Sequence, residues 1–183
     1  MTALRPQPLL MDTSAESRIP QMIRTAAGEA LRRLLRERPM AVSAITVLER
    51  IRGFSLALER AEPGRRQILD EARLAYVSVP RKVLPIDGGV SLIAGEMMAL
   101  LPAPPSPPKR SHRGQENRAE RLARWRFDLM IAATALAFGY ILVHENAVDF
   151  DPIREAVGTN AHRFPGMGGL VTCRLNDIAA LLS

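Results

Sequence analysis

Apolar residues along the chain follow two rhythms. Short bursts occur at Leu9 to Met11 in "PLLMD", at "MAV" (40–42), in "KVLPID" (82–87), at "YILV" (140–143) and in "LVTCRL" (170–175), and they read as buried strands. Between them lie longer stretches with apolar residues at helical spacing. Ile23, Ala27, Ala30, Leu31, Leu34 and Leu35 predict one amphipathic helix over 20–38, with arginines on the remaining positions and Pro39 as its stop. Asp12, followed by Thr13 and Ser14, marks a further helix start directly after the first burst. Ser43 can cap a helix reading "AITVLERIRGFSLALER", and "EPGRRQILDEARLAY" reads as a turn and another helix. "GGVSLIAGEMMALL" predicts one more, and "DLMIAATALAF" a buried helix beginning at Asp128 and closed by Gly139.

Strands joined by helices of this length require a parallel sheet covered on both faces. The expected class is therefore α/β and three-layered, with a central parallel sheet of four to five strands flanked by helices. The longest apolar run, Leu129 to Val143, is about 15 residues against the roughly 20 that a membrane span needs, and Gly139 divides it. It predicts a buried helix and strand, and no membrane association.

Composition changes this picture in one region. Five prolines fall between Pro102 and Pro108, and a basic polar stretch follows, so residues 102–124 are expected to be a surface insertion in a single domain spanning 1–183. A tail extends beyond about residue 151 and holds the turn-rich "RFPGMGG". Basic residues number 25 against 19 acidic ones, a net charge of +6 carried almost wholly by arginine. Guanidinium forks suit phosphate and carboxylate oxygens, so nucleic acid or an acidic protein both fit as partners. Cys173 is the only cysteine, which excludes an internal disulfide framework and a multi-cysteine zinc site and makes a reducing cytoplasm the simplest setting. No export signal is read at the N-terminus. His112, His144 and His162 lie in no recognisable nucleophile setting, which sets aside serine and cysteine hydrolases.

In open α/β sheets, sites form beyond the carboxyl ends of the strands, near the point where strand order reverses. Asp12 follows the first strand, Glu49 lies on the helix after the second, Asp128 begins the helix leading into the fourth, and Asp149 follows that strand. All four can reach one edge of the sheet, where they would repel one another unless a hard cation such as Mg²⁺ or Mn²⁺ neutralised them. Such ions activate water and hold a phosphodiester for in-line attack, and arginines could then hold the rest of a polymer's backbone. Arg110, Arg113, Arg118, Arg121, Arg124 and Arg126 precede Asp128 and form either that phosphate-facing rim or a solvated linker. Alternatives stand for the acids as well: Asp12 and Asp128 as helix caps, Glu49 paired with Arg50 or Arg52, and Asp151 in place of Asp149. His144 and Glu145 are expected to lie exposed at a strand end.

The blocks "LLMDTS", "AVSAITVLERIRG", "VLPID" and above all "DLMIAATALAFGYILVHENAVDF" resemble the PIN-domain ribonucleases of the VapC toxin type, in order and in content. The resemblance covers most of residues 8–151. It implies a PIN-like fold, Asp12, Glu49, Asp128 and Asp149 as metal-binding acids, and Thr13, Ser14 and Asn146 as polar residues lining the same site. The activity it implies is Mg²⁺-dependent endonucleolytic cleavage of RNA by a cytoplasmic toxin that dimerises and is held inactive by a cognate antitoxin. "DTSAES" and "HEN" depart from the usual family residues. The alternative is accordingly a catalytically weakened PIN-like module that binds RNA or protein.

Overall fold

A strand that is apolar at every position must be covered on both faces, and the central strands meet that demand by alternation. The computed structural model describes residues 6–25, 28–111 and 114–182. In chain order these form β1 (Leu9–Met11), α1 (Thr13–Met22), α2 (Gly28–Glu37), β2 (Met40–Ser43), α3 (Ala44–Arg60), α4 (Pro63–Ser78) and β3 (Lys82–Leu84). Then follow α5 (Gly88–Leu100), a small hairpin of β4 (Arg110–Ser111) and β5 (Gly114–Gln115), α6 (Arg118–Phe138), β6 (Ile141–His144), α7 (Ala147–Thr159) and β7 (Thr172–Arg174). Among the described residues β3-β2-β1-β6-β7 make one sheet in which every pairing is parallel, so the expected α/β class holds.

Leu10, Ala41 and Leu142 point from the sheet into a core built with α5, α6 and α7. Leu9, Met11, Val42, Ile141 and Val143 point the other way, into a second core under α1, α2 and the 3₁₀ turn Leu175–Leu182. The molecule is thus three-layered, and truncating a fully buried leucine such as Leu142 to alanine would cost about 3 kcal/mol. The long apolar run divides as expected: α6 ends at Gly139, whose φ of 68° and ψ of 36° suit glycine, and β6 follows. Among the described residues no helix is long and apolar enough to cross a membrane.

Two helices differ from expectation. The predicted helix over 20–38 is two helices: Asp12 caps α1 at Thr13, placing Pro20 inside it, and the chain turns after Met22. There Arg24 and Thr25 donate backbone N–H bonds to Gln21 and Met22, and Thr25 Oγ1 donates to the Met22 carbonyl. α2 then starts at Gly28, packed so closely that a Cβ would lie 2.3 Å from the Ile23 carbonyl oxygen. Periodicity passes through this turn unbroken because Ile23 and the α2 leucines serve the same core; Ala27 lies outside the described residues. The second difference is α6, which begins at Arg118 instead of Asp128. Asn117 accepts the Glu120 N–H at 2.9 Å and Glu120 accepts the Asn117 N–H at 3.0 Å, a capping box that opens the helix inside the basic stretch. Asp128 therefore stands in mid-helix. Trp125, fully buried, donates its indole N–H to the Leu101 carbonyl at 2.9 Å and ties α6 to the end of α5.

Candidate active site

The connections from β1 to β2 and β3 run one way across the sheet, and the chain then crosses back to place β6 on the other side of β1. Strand order reverses between β1 and β6, where the Asp12 N–H donates to the Val143 carbonyl at 3.0 Å. Asp12 sits at this point because β1 is only three residues long and its last residue runs straight into a helix cap. Its Oδ1 accepts the Ala15 N–H at 2.6 Å, and the Ser14 hydroxyl reaches both carboxylate oxygens at 2.9 and 2.7 Å. The helix-cap alternative is thus realised for Asp12. Even so, burial pushes its carboxyl up to about 6, against those hydrogen bonds, and the neighbouring Glu49 pushes the same way.

Glu49 is brought to the same edge by α3, which Ser43 caps by accepting the Thr46 N–H at 3.0 Å. Its Oε2 accepts a hydrogen bond from Thr13 Oγ1. Arg50, one of its expected partners, pairs instead with Glu16 at 3.4 Å. Asp128 faces the group from α6. Burial raises its carboxyl well above the usual range, and Asp149, Glu49 and Asp12 all add to that rise while Arg124 opposes it. Asp149, wholly buried in the first turn of α7, accepts from Asn146 Nδ2 and, at 3.0 Å, from Arg124. Asp128 Oδ2 and Asp149 Oδ1 are buried with no hydrogen-bond partner. Asp151, the alternative to Asp149, lies outward, 3.7 Å from both Arg154 and Arg174.

The four acids predicted from the sequence therefore meet electrostatically at one edge, with Thr13, Ser14 and Asn146 each bonded to one of them. Among the described residues, however, no three acidic, His or Cys side chains stand close enough to share a metal ion as they are placed. All-oxygen donors and two orphaned buried carboxylate oxygens do fit a hard divalent cation, so binding one requires side-chain rotation.

The basic residues fare differently. Arg124 belongs to the site, four residues before Asp128 on one face of α6. Arg126 faces away, lining a separate cavity with Met98, Trp125 and Leu129. Arg121 donates to the Pro104 carbonyl at 2.8 Å. Arg110 contributes backbone to the hairpin, its side chain outside the described residues, as is all of Arg113. A cleft of about 800 Å³ beside Glu49 and Arg124 is lined also by Arg52, Lys109 and Glu116, which no local motif marks. His144 and Glu145 are not the exposed pair expected. His144 is 1% exposed, packed 4.9 Å from the Phe150 ring, and burial holds its imidazole down to about 4. Glu145 pairs with Arg18. The last strand residue points into the core here because Phe150 on α7 folds over it.

A five-stranded parallel sheet between two helical layers, with acids at its reversal point, makes this a PIN-like α/β fold. The chain is similar in fold to a chain in the crystal structure of VapBC2 from Rickettsia felis bound to a DNA fragment from their promoter, with a TM-score of 0.54 at 15% identity, over 91% of this chain and 97% of that one. It is similar also to a chain in FitAcB from Neisseria gonorrhoeae, with a TM-score of 0.50 at 22% identity, over 79% of this chain and 92% of that one. No protein-family model and no curated protein sequence matches the chain.

Proposed function

We propose that this chain is a divalent-metal-dependent endoribonuclease, the toxin of a cytoplasmic toxin and antitoxin pair. The observation that carries the reading is the convergence of Asp12, Glu49, Asp128 and Asp149, from four separate elements, on one edge of the sheet. Natural folds rarely gather buried carboxylates without a cation to use them. The likeness in fold to chains of VapBC2 and FitAcB supports the same class.

In this reading the four acids hold Mg²⁺ or Mn²⁺. The bound ion supplies Lewis acidity toward a phosphodiester and lowers the proton affinity of water. Thr13 orients Glu49, Ser14 orients Asp12 and Asn146 orients Asp149. Arg52 and Lys109, beside Glu49 in the cleft, supply positive charge for the RNA backbone. Asp128→Asn keeps the size of the side chain and removes its charge. Mg²⁺-dependent cleavage of RNA should fall at least a hundredfold in this variant, with an unchanged circular dichroism spectrum. Cleavage at the wild-type rate would exclude the assignment.

The second reading, a module that binds RNA without cutting it, is favoured by the spacing of the acids, no three of which can share an ion as placed. RNA binding retained with no Mn²⁺ uptake by calorimetry would establish it.

A further inference from the structure

Arg124 is the most heavily engaged cation near the acids, and its partners come from the segment that composition set apart. Its Nε and Nη2 fork onto the two oxygens of Glu116, each at 3.1 Å. Its Nη1 and Nη2 also approach Ser106 Oγ, at 3.4 and 3.3 Å. The remaining bond, Nη1 to Asp149 Oδ2 at 3.0 Å, reaches a carboxylate with no exposed surface. Glu116 is itself fixed, accepting the Lys109 N–H at 3.0 Å across the base of the β4–β5 hairpin. One guanidinium thus bridges a surface segment and a wholly buried acid.

We propose that Arg124 is a built-in counter-ion that competes with the divalent cation for Asp149, with Glu116 and Ser106 as the seat that retains it when the ion displaces it. The proposal rests on the metal-site reading above. A buried carboxylate beside Asp128, Glu49 and Asp12 stays ionised only with a positive partner. Asp149 has one inside the chain. A cation arriving from solution finds only Oδ1 of Asp149 free, because Oδ2 already takes both Arg124 and Asn146, so it meets the Arg124 charge across the same carboxylate and competes with it for Oδ2. The guanidinium is rigid, so the moving part is Asp149: turning its carboxylate off Nη1 leaves the bidentate bond of Arg124 to Glu116 intact, and only one of the arginine's ion pairs is lost. Asp149 is then free to turn toward Asp128, whose Oδ2 is unpartnered. The acids and the ion they would hold are then coupled, through Glu116 and Ser106, to the chain that precedes α6.

The test compares wild type with Arg124→Met and Arg124→Lys by calorimetric titration with Mn²⁺ and by thermal unfolding with and without Mn²⁺. Arg124→Met should bind Mn²⁺ at least tenfold more tightly, and Mn²⁺ should raise its midpoint temperature more than it raises that of wild type. Arg124→Lys keeps the charge but cannot fork onto Glu116 while reaching Asp149, so it should bind Mn²⁺ severalfold more tightly than wild type. Equal affinity in wild type and Arg124→Met overturns the competition and leaves the metal site standing. Tightening in Arg124→Met with none in Arg124→Lys also overturns it, by reducing Arg124 to a nearby charge. Absence of Mn²⁺ binding in all three proteins removes the metal site and the proposal together.

Discussion

Asp12 and Glu16 stand one helical turn apart at the start of α1, joined by the Glu16 N–H to Asp12 carbonyl bond of 3.0 Å, and their surroundings are opposite in kind. Glu16 lies between two guanidiniums, Arg81 at 2.9 Å and Arg50 at 3.4 Å. Those arginines are held in turn by aromatic rings: Arg81 lies 3.7 Å from the centre of Tyr76, and Arg50 stacks on Phe54 and Tyr76. Burial still raises the Glu16 carboxyl, but the two arginines pull against it. At Asp12 and Asp128 burial acts in the same direction as the surrounding carboxylates, and Arg124 is the charge that opposes them at Asp128. An acid compensated by its own chain can serve the architecture alone, whereas acids that compound one another's cost are the kind that concentrate at functional sites.

The contrast is open to direct attack. Asp12 titrates near 6 in the folded chain against 3.8 for an ordinary aspartate. Since the folded value is the higher one, its contribution to stability is fully present below about pH 4 and is lost as pH rises through 6. Measured by urea unfolding without divalent ions, wild type should lose ~3 kcal/mol relative to Asp12→Asn between pH 3 and pH 8. Asparagine still caps α1, so a difference that stays flat with pH would mean that Asp12 costs nothing to ionise. Next in size is Arg81→Met, which takes the nearer guanidinium from Glu16, leaves that carboxylate with Arg50 alone and should destabilise by about 2 kcal/mol. Asp128→Asn should shift stability the other way, by about 1 kcal/mol in favour of the fold at pH 7 without metal. Shifts of the same sign in those two variants would dissolve the comparison. The smallest effect belongs to Ser14→Ala, which removes a hydroxyl from Asp12 at a cost of about 1 kcal/mol and should move its carboxyl titration, followed by NMR, to higher pH.

Elements whose hydrophobicity is complete in itself are legible in the amino-acid sequence. β1, β2 and β6 are short apolar bursts, Gly139 is the only glycine between a helical and an extended pattern there, and the acids follow or precede those units at fixed offsets. What escapes such a reading depends on partners remote in sequence or on charged helix turns that periodicity ignores. The first turns of α6 carry few apolar residues, though Asn117 and Glu120 spell a capping box to a reader looking for one. The turn after Met22 leaves no mark because both flanking helices face one core. Arg124 stands out only as one of several basic residues preceding Asp128, because its bond to Asp149 spans 25 positions and Glu116 joins it from a loop of low hydrophobicity. Polarity places His144 outside, and it lies inside because a ring from the next helix covers it.

Trp125 has a consequence of a practical kind. It is the one tryptophan in the chain, it is fully enclosed, its indole is bonded to the end of α5, and the residue before it is Arg124. The molecule therefore carries a single native fluorophore at the joint between two helices, one position from the cation that touches the acids. Its emission gives an unlabelled optical signal for the seating of α6, free of interference from any second indole, and allows unfolding and ion titrations to be followed on the same molecule in the same cuvette.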